Sequence, residues 1–171
     1  MKPFTEIKPV EIDANPIRLI GREWMLITAG TPEHFNTMTA SWGGMGELWF
    51  KPVCFCFVRP QRYTYAFMEK GDAFTLSFFD EKYKPQLNFC GSRSGRETDK
   101  VQECGFSPVA AGNGSVYFEE AKLVLECRKL YFQDMEPANF LDDSIMKNYP
   151  QKDFHRMYIG EITRVLRAEP G

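Results

Sequence analysis

Histidine is scarce in this sequence of 171 residues: His34 and His155 are the only two. A metal centre would need them beside suitable partners. The five cysteines, Cys54, Cys56, Cys90, Cys104 and Cys127, follow no disulfide framework, and an odd number without secretion reads as reduced thiols in a cytoplasm. The opening stretch, MKPFTEIKPVEIDANP, has no apolar segment or cleavage signature of a signal peptide. Long hydrophobic runs are also missing. The longest, Val53 to Val58, is far short of a membrane span. Neither sign of charge dominates: 21 Lys and Arg oppose 23 Asp and Glu, for a formal charge of −2. No basic face for nucleic acid is indicated. No G-x-G-x-x-G follows a strand-like run, which argues against a Rossmann dinucleotide site. No G-x-S-x-G elbow surrounds Ser41, so its nearness to His34 does not make a hydrolase triad. No repeat, low-complexity stretch or linker divides the chain, and residues 1–171 read as one domain. That length suffices to bury roughly 70% of the unfolded surface without disulfides or a structural metal.

What the chain does have is aromatic side chains, at 15% of residues. Such rings favour pleated, half-buried surfaces. Strands are expected at 24–30, which ends in the turn Gly30-Thr31-Pro32, and at 35–42, followed by a Gly43-Gly44 break. The continuous apolar run at 52–58 reads as a strand covered on both faces. Cys54 and Cys56 share one face of it and are expected to be small buried hydrophobes. At 73–79, Phe74, Leu76 and Phe78 alternate with Thr75 and Ser77. Further strands are expected at 116–118, 121–133 and 154–167, the last two long enough to bend or twist strongly.

Helical signals are fewer. Residues 62–70 read as a helix with Thr64 at its N-cap and Gly71 at its end. Residues 84–93 read as irregular. Ser94-Gly95-Arg96-Glu97 has the capping-box pattern, so a helix is expected from Ser94 to Gly105, with a short one within 138–147. Six to eight strands with two or three short helices predict a mainly β fold, an antiparallel barrel or sandwich with inserted helices.

Three segments hold more small polar and cationic residues than a core needs. In Asn36, Thr37, Met38, Thr39, Ala40, Ser41 and Trp42, hydroxyls and small side chains leave backbone N–H groups accessible beside an aromatic plane. This suits the edge of a flat heterocycle, and it also suits a polar edge strand. In the second segment, Arg59 and Arg62 precede a helix start with Tyr63 and Thr64. Unpaired N–H groups, the helix dipole and two guanidiniums together suit a phosphate, while the plain alternative is a pair of solvated cations. The third segment, Cys90, Gly91, Ser92, Arg93, Ser94, Gly95 and Arg96 followed by Asp99 and Lys100, is a Gly/Ser-rich turn near cations. It would serve as a ligand-wrapping loop or as an ordinary lead into a helix. Cys90 reads as a small buried or semi-buried thiol, with redox activity the alternative.

In this order, over roughly residues 20–165, the segments resemble the flavin reductase-like family of FMN-binding split barrels, in particular its flavoredoxin-type branch. The resemblance implies a six-stranded antiparallel split barrel with extra helices. It also implies a homodimer that holds FMN non-covalently near the subunit interface. Residues Asn36 to Trp42 would line the isoalloxazine ring. Arg59, Arg62, Tyr63 and Thr64 would lie toward the ribityl chain and phosphate, and Cys90, Gly91, Ser92, Ser94 and Lys100 would complete the site. No catalytic acid or base is expected, because the flavin carries the hydride and electron chemistry. The implied activity is an NAD(P)H-dependent oxidoreductase passing electrons to a flavin or other small acceptor. A flavoredoxin-like carrier serving a partner protein, and a non-catalytic flavin- or haem-binding module, are the alternatives.

Overall fold

A computed structural model describes residues 3–169. Its framework is one antiparallel sheet in the order β3-β2-β6-β9-β10-β5-β4, with β1 added alongside β10. The strands are β1 (Phe4–Ile7), β2 (Met25–Thr31), β3 (His34–Ala40), β4 (Gly43–Leu48), β5 (Lys51–Val58), β6 (Ala73–Phe78), β9 (Leu123–Asp134) and β10 (Arg156–Ala168). A separate ribbon pairs β7 (Pro108–Ala110) with β8 (Val116–Phe118). Six of the main strands are those expected from the sequence. β1 and β4 add to them, and the sheet remains open, as a split barrel requires.

The inner face explains the alternation. Met25, Ile27 and Ala29 of β2 meet Cys54 and Cys56 of β5, Phe74, Leu76 and Phe78 of β6, and Tyr158 and Ile162 of β10 in one buried cluster. Cys54 and Cys56 do share the inward face, both with no exposed surface. The other face is covered too: Leu26, Val124 and Leu166 pack with Phe79, Leu87, Phe106 and Phe118. β10 is the spine, pairing with β9 on one side and with β5 and β1 on the other. Its register against β9 shifts at Ile159/Gly160 and Ile162/Arg164, and such bulges let a long strand curve around a barrel.

Several local expectations are corrected. Gly43-Gly44 opens β4, whose pairing with β5 outweighs the weak strand propensity of its glycines. The β4–β5 hairpin turns on Trp49 and Phe50, both at positive φ (55° and 57°). Residues 84–93 are mostly helical: α3 spans Lys84–Ser92 with Pro85 in its first turn, where the missing N–H costs nothing. The helix expected from Ser94 begins later. Ser94 Oγ accepts from Arg96 N in a local turn, and α4 (Lys100–Cys104) is capped by Asp99, which accepts from Val101 N and Gln102 N. Gly105 ends it in the left-handed region, as expected. The helix at 62–70 exists as α2 (Tyr63–Lys70), with Arg62 rather than Thr64 at its N-cap. Thr64 is one position inside and fully buried. A short helix α1 (Pro16–Arg18), capped by Asn15, runs into a wide turn before β2. The region 138–147 forms two 3-10 turns, Pro137–Asn139 and Asp143–Asn148.

Candidate functional site

The site is organised around the side of β3 that β2 does not occupy. An uncovered strand edge leaves backbone groups unpaired. Here a side chain from a helix takes one of them, and side chains of the strand reach out to two other helices. Lys100 of α4 donates to Thr37 O (2.8 Å) and to Cys90 O (3.0 Å). Thr39 Oγ1 donates to Leu87 O of α3 (2.5 Å). The Asn36 amide donates to Thr64 Oγ1 (2.7 Å), which ties α2 to the same strand. The three motif segments are therefore neighbours, held by buried polar contacts.

Two cavities flank this junction. The first, about 180 Å³, is lined by Met38 to Trp42 with Phe57, Arg59, Arg62 and His155. Arg62 donates to Gly91 O (2.7 Å) and Cys90 O (3.3 Å). Burial, and then the neighbouring Arg59 charge, lower its pKa from the ordinary value. Arg59 is ion-paired with Asp153, donates to Asn148 O (2.8 Å) and lies 5.0 Å from the Tyr149 ring centroid. His155 sits between Trp42 (centroids 5.1 Å apart) and the edge of Phe57 (6.4 Å). Its Nδ1 shares a hydrogen bond with the Tyr149 hydroxyl (2.8 Å). Burial, with Arg59 adding to it, pushes the His155 pKa down to about 4 against a smaller opposing effect of Asp153, so the ring is neutral at pH 7.

The second cavity, about 580 Å³, includes Asn36, Thr37, Tyr63, Gly95, Arg96 and Asp99 in its wall. Arg96 lies over the Tyr63 ring at 4.8 Å and donates to Gln61 O (3.1 Å).

Of the residues singled out in the sequence, Met38, Thr39, Ala40, Ser41, Trp42, Arg59 and Arg62 meet in the first cavity. Asn36, Thr37 and Tyr63 face the second. Thr64 is buried beneath them as the acceptor for Asn36. Cys90 and Gly91 present their carbonyls to Arg62. Ser92 is exposed, its hydroxyl donating to Phe89 O (3.3 Å), and neither it nor Ser94 lines either cavity. Lys100 is buried at 4% exposure, with two of its N–H groups committed to carbonyls. Burial, with Arg62 adding to it, lowers its pKa to about 8.

His155, Phe57 and Asp153 are site residues that sequence reading missed, whereas Arg96, the last residue of the third segment, stands in the wall of the second cavity. For His155 the signal is long-range. β10 pairs with β5 in the register Arg156↔Val58, which sets His155 beside Arg59.

The flavin reductase like domain model matches residues 17–170. The chain belongs to that family. None of the curated proteins matches this flavin reductase-like chain in sequence. Among solved structures, it resembles an FMN-binding domain of a flavin reductases-like enzyme from Shewanella baltica. The TM-score is 0.71 at 16% identity, covering 98% of this chain and 78% of that one. Flavoredoxin of Desulfovibrio vulgaris gives a TM-score of 0.67 at 21% identity, over 93% and 75% of the two chains. An NADH:FAD oxidoreductase of Streptomyces globisporus, in complex with NAD and FAD fragments, gives 0.64 at 16% identity, over 85% and 74%. Among the described residues of this family member, no helix is long and apolar enough to cross a membrane.

Proposed function

We propose that this protein binds FMN and works as an oxidoreductase, taking hydride from NADH or NADPH and passing electrons to a flavin or another small acceptor. The observation that carries the reading is the meeting of Met38–Trp42 with Arg59 and Arg62 around one cavity. The donor set fits the group: small side chains and an indole suit a flat ring, and two guanidiniums suit a phosphate. Asn36, Thr37, Tyr63, Thr64, Cys90, Gly91, Ser92, Ser94 and Lys100 belong to the surrounding frame in this reading.

When bound, FMN supplies the hydride-accepting ring. The chain's own contribution is placement. Ser41 and Trp42 define the edge of the ring site, and neutral His155 offers it an uncharged polar wall. Arg62 holds negative charge without giving up its carbonyl partners.

A cavity of about 180 Å³ is smaller than most small-molecule sites, which run roughly 300–1,000 Å³. Trp42 beside it is 46% exposed. Both facts support a homodimer in which a second copy covers the ring. The five free thiols fit a cytoplasmic setting.

The test is an absorption spectrum of the purified protein mixed with FMN, followed by anaerobic titration with NADH and NADPH. Uptake of FMN and bleaching by a pyridine nucleotide supports the reading. A yellow protein that neither nucleotide bleaches is an electron carrier instead. A protein that takes up no FMN overturns both.

A further inference from the structure

Two pairs of thiols lie close together in this molecule. Cys54 and Cys127 have sulfurs 3.5 Å apart, and Cys90 and Cys104 have sulfurs 3.7 Å apart. The pairs differ in access. Cys54 and Cys127 are sealed inside the barrel with no exposed surface. Cys90 is buried at the end of α3, while Cys104 reaches partial exposure at the end of α4. The surroundings also differ. The first pair is fixed on two central strands of the sheet. Cys104 ends a helix of five residues, followed by Gly105 at φ +65° with no atom within 4 Å of where a Cβ would stand. A bond requires the sulfurs to close from 3.7 Å to about 2.05 Å.

We propose that Cys90 and Cys104 are a redox modification site, forming a reversible intramolecular disulfide on exposure to a peroxide. Cys104, the accessible thiol, attacks hydrogen peroxide. An S–O bond forms, the O–O bond breaks, and water leaves once protonated, giving a sulfenic acid on Cys104. The Cys90 sulfur then attacks the Cys104 sulfur: the S–S bond forms, the S–O bond breaks, and a second water carries away the Cys90 proton. In total two thiols lose two hydrogens and one peroxide becomes two waters. Burial raises the pKa of both thiols, that of Cys90 to about 12, so the closeness of the sulfurs and the access to Cys104, rather than thiolate character, set the order of the two steps.

The bond has a consequence beyond itself. The Cys90 carbonyl accepts from both Arg62 and Lys100. Drawing Cys90 toward Cys104 disturbs the seat of Arg62 in the first cavity. This part rests on the FMN reading above, and predicts roughly tenfold weaker FMN binding in the oxidised protein, the size of one charge-assisted hydrogen bond.

The experiment treats the full-length protein with hydrogen peroxide and counts free thiols under denaturing conditions, with peptide mapping of any crosslink. The expected count falls from five to three, with Cys90 joined to Cys104, and dithiothreitol restores it. Cys104→Ser abolishes the crosslink. Should that variant fail to fold, the map of the unmodified sequence decides alone. A count that stays at five, a Cys54–Cys127 link, or Cys104 over-oxidised without a link overturns the proposal. A mapped Cys90–Cys104 bond in a protein that binds no FMN in either state upholds the modification site and overturns the functional reading.

Discussion

Gly95 lies against Asn36 so closely that a methyl group on it would come within 1.9 Å of the Asn36 Oδ1 and 3.2 Å of the Tyr63 ring. Asn36 in turn clamps Thr64 of α2. The loop between α3 and α4, the edge strand and the helix start are thus packed through one glycine and one amide. Gly95→Ala must push Asn36 off Thr64 or swing the loop outward. Overpacking of this kind costs about 1–3 kcal/mol. A urea midpoint lowered accordingly, with weaker FMN uptake, is the expected result. An unchanged midpoint would show that the loop yields freely.

Arg62 and Arg59 should contribute unequally. Arg59 is already neutralised by Asp153, whereas Arg62 meets only carbonyls among the described residues. Arg62→Ala is expected to weaken FMN binding by about 1.5–3 kcal/mol, the range for hydrogen bonds to charged groups. Arg59→Ala is expected to lose less of the affinity and more of the stability, because it leaves the Asp153 carboxylate without its cation and with only the Gln61 amide as side-chain partner. Fluorescence titration of FMN against each variant separates them, and equal losses would refute the ranking. Trp42→Ala should reduce quenching of flavin emission in the same assay.

His155 gives the protein a pH dependence whose direction is fixed. Its folded pKa of about 4 lies below the ordinary value of 6.5. The unfolded chain therefore takes up a proton across that window that the folded chain refuses. Stability rises with pH from about 4 to 6.5 and falls on acidification, by on the order of 3 kcal/mol in full. His155→Gln should flatten this part of the curve. Urea midpoints of both proteins at pH 7 and pH 4.5 provide the comparison, and parallel losses would assign the effect to other groups.

The β4–β5 turn is built against preference. A two-residue hairpin loop with both positions at positive φ favours Asn-Gly, and here it carries Trp49 and Phe50. Phe50 is 99% exposed. Phe50→Gly is expected to stabilise the isolated chain by about 0.5–1 kcal/mol, read as a higher melting temperature. A lower one would mean that the Phe50 ring is held by a contact outside the single chain.

The main strands were legible because β2, β3, β5 and β6 alternate or run apolar on a scale of a few residues. What escaped was non-local. Gly43–Leu48 has little strand character of its own and is extended because β5 lies beside it. Ser94 and Glu97 carry the letters of a capping box, but Asp99 holds the N-terminus of α4. For α3, Pro85 was the available signal, outweighed by the glycine and serines after it. At the site, the backbone-rich Met38–Trp42 strip and the Arg59–Arg62 pair were visible as residue types in order. His155 and Asp153 were not, since nothing near them in sequence refers to residues almost a hundred positions earlier.

β10 hydrogen-bonds to β1, β5 and β9, and its first residue follows directly on His155. The same rod that closes the scaffold therefore carries the wall of the cavity on its tip. Fraying at that tip would open the pocket while leaving the rest of the scaffold intact, so amides around His155 should exchange with solvent long before those at the middle of the strand.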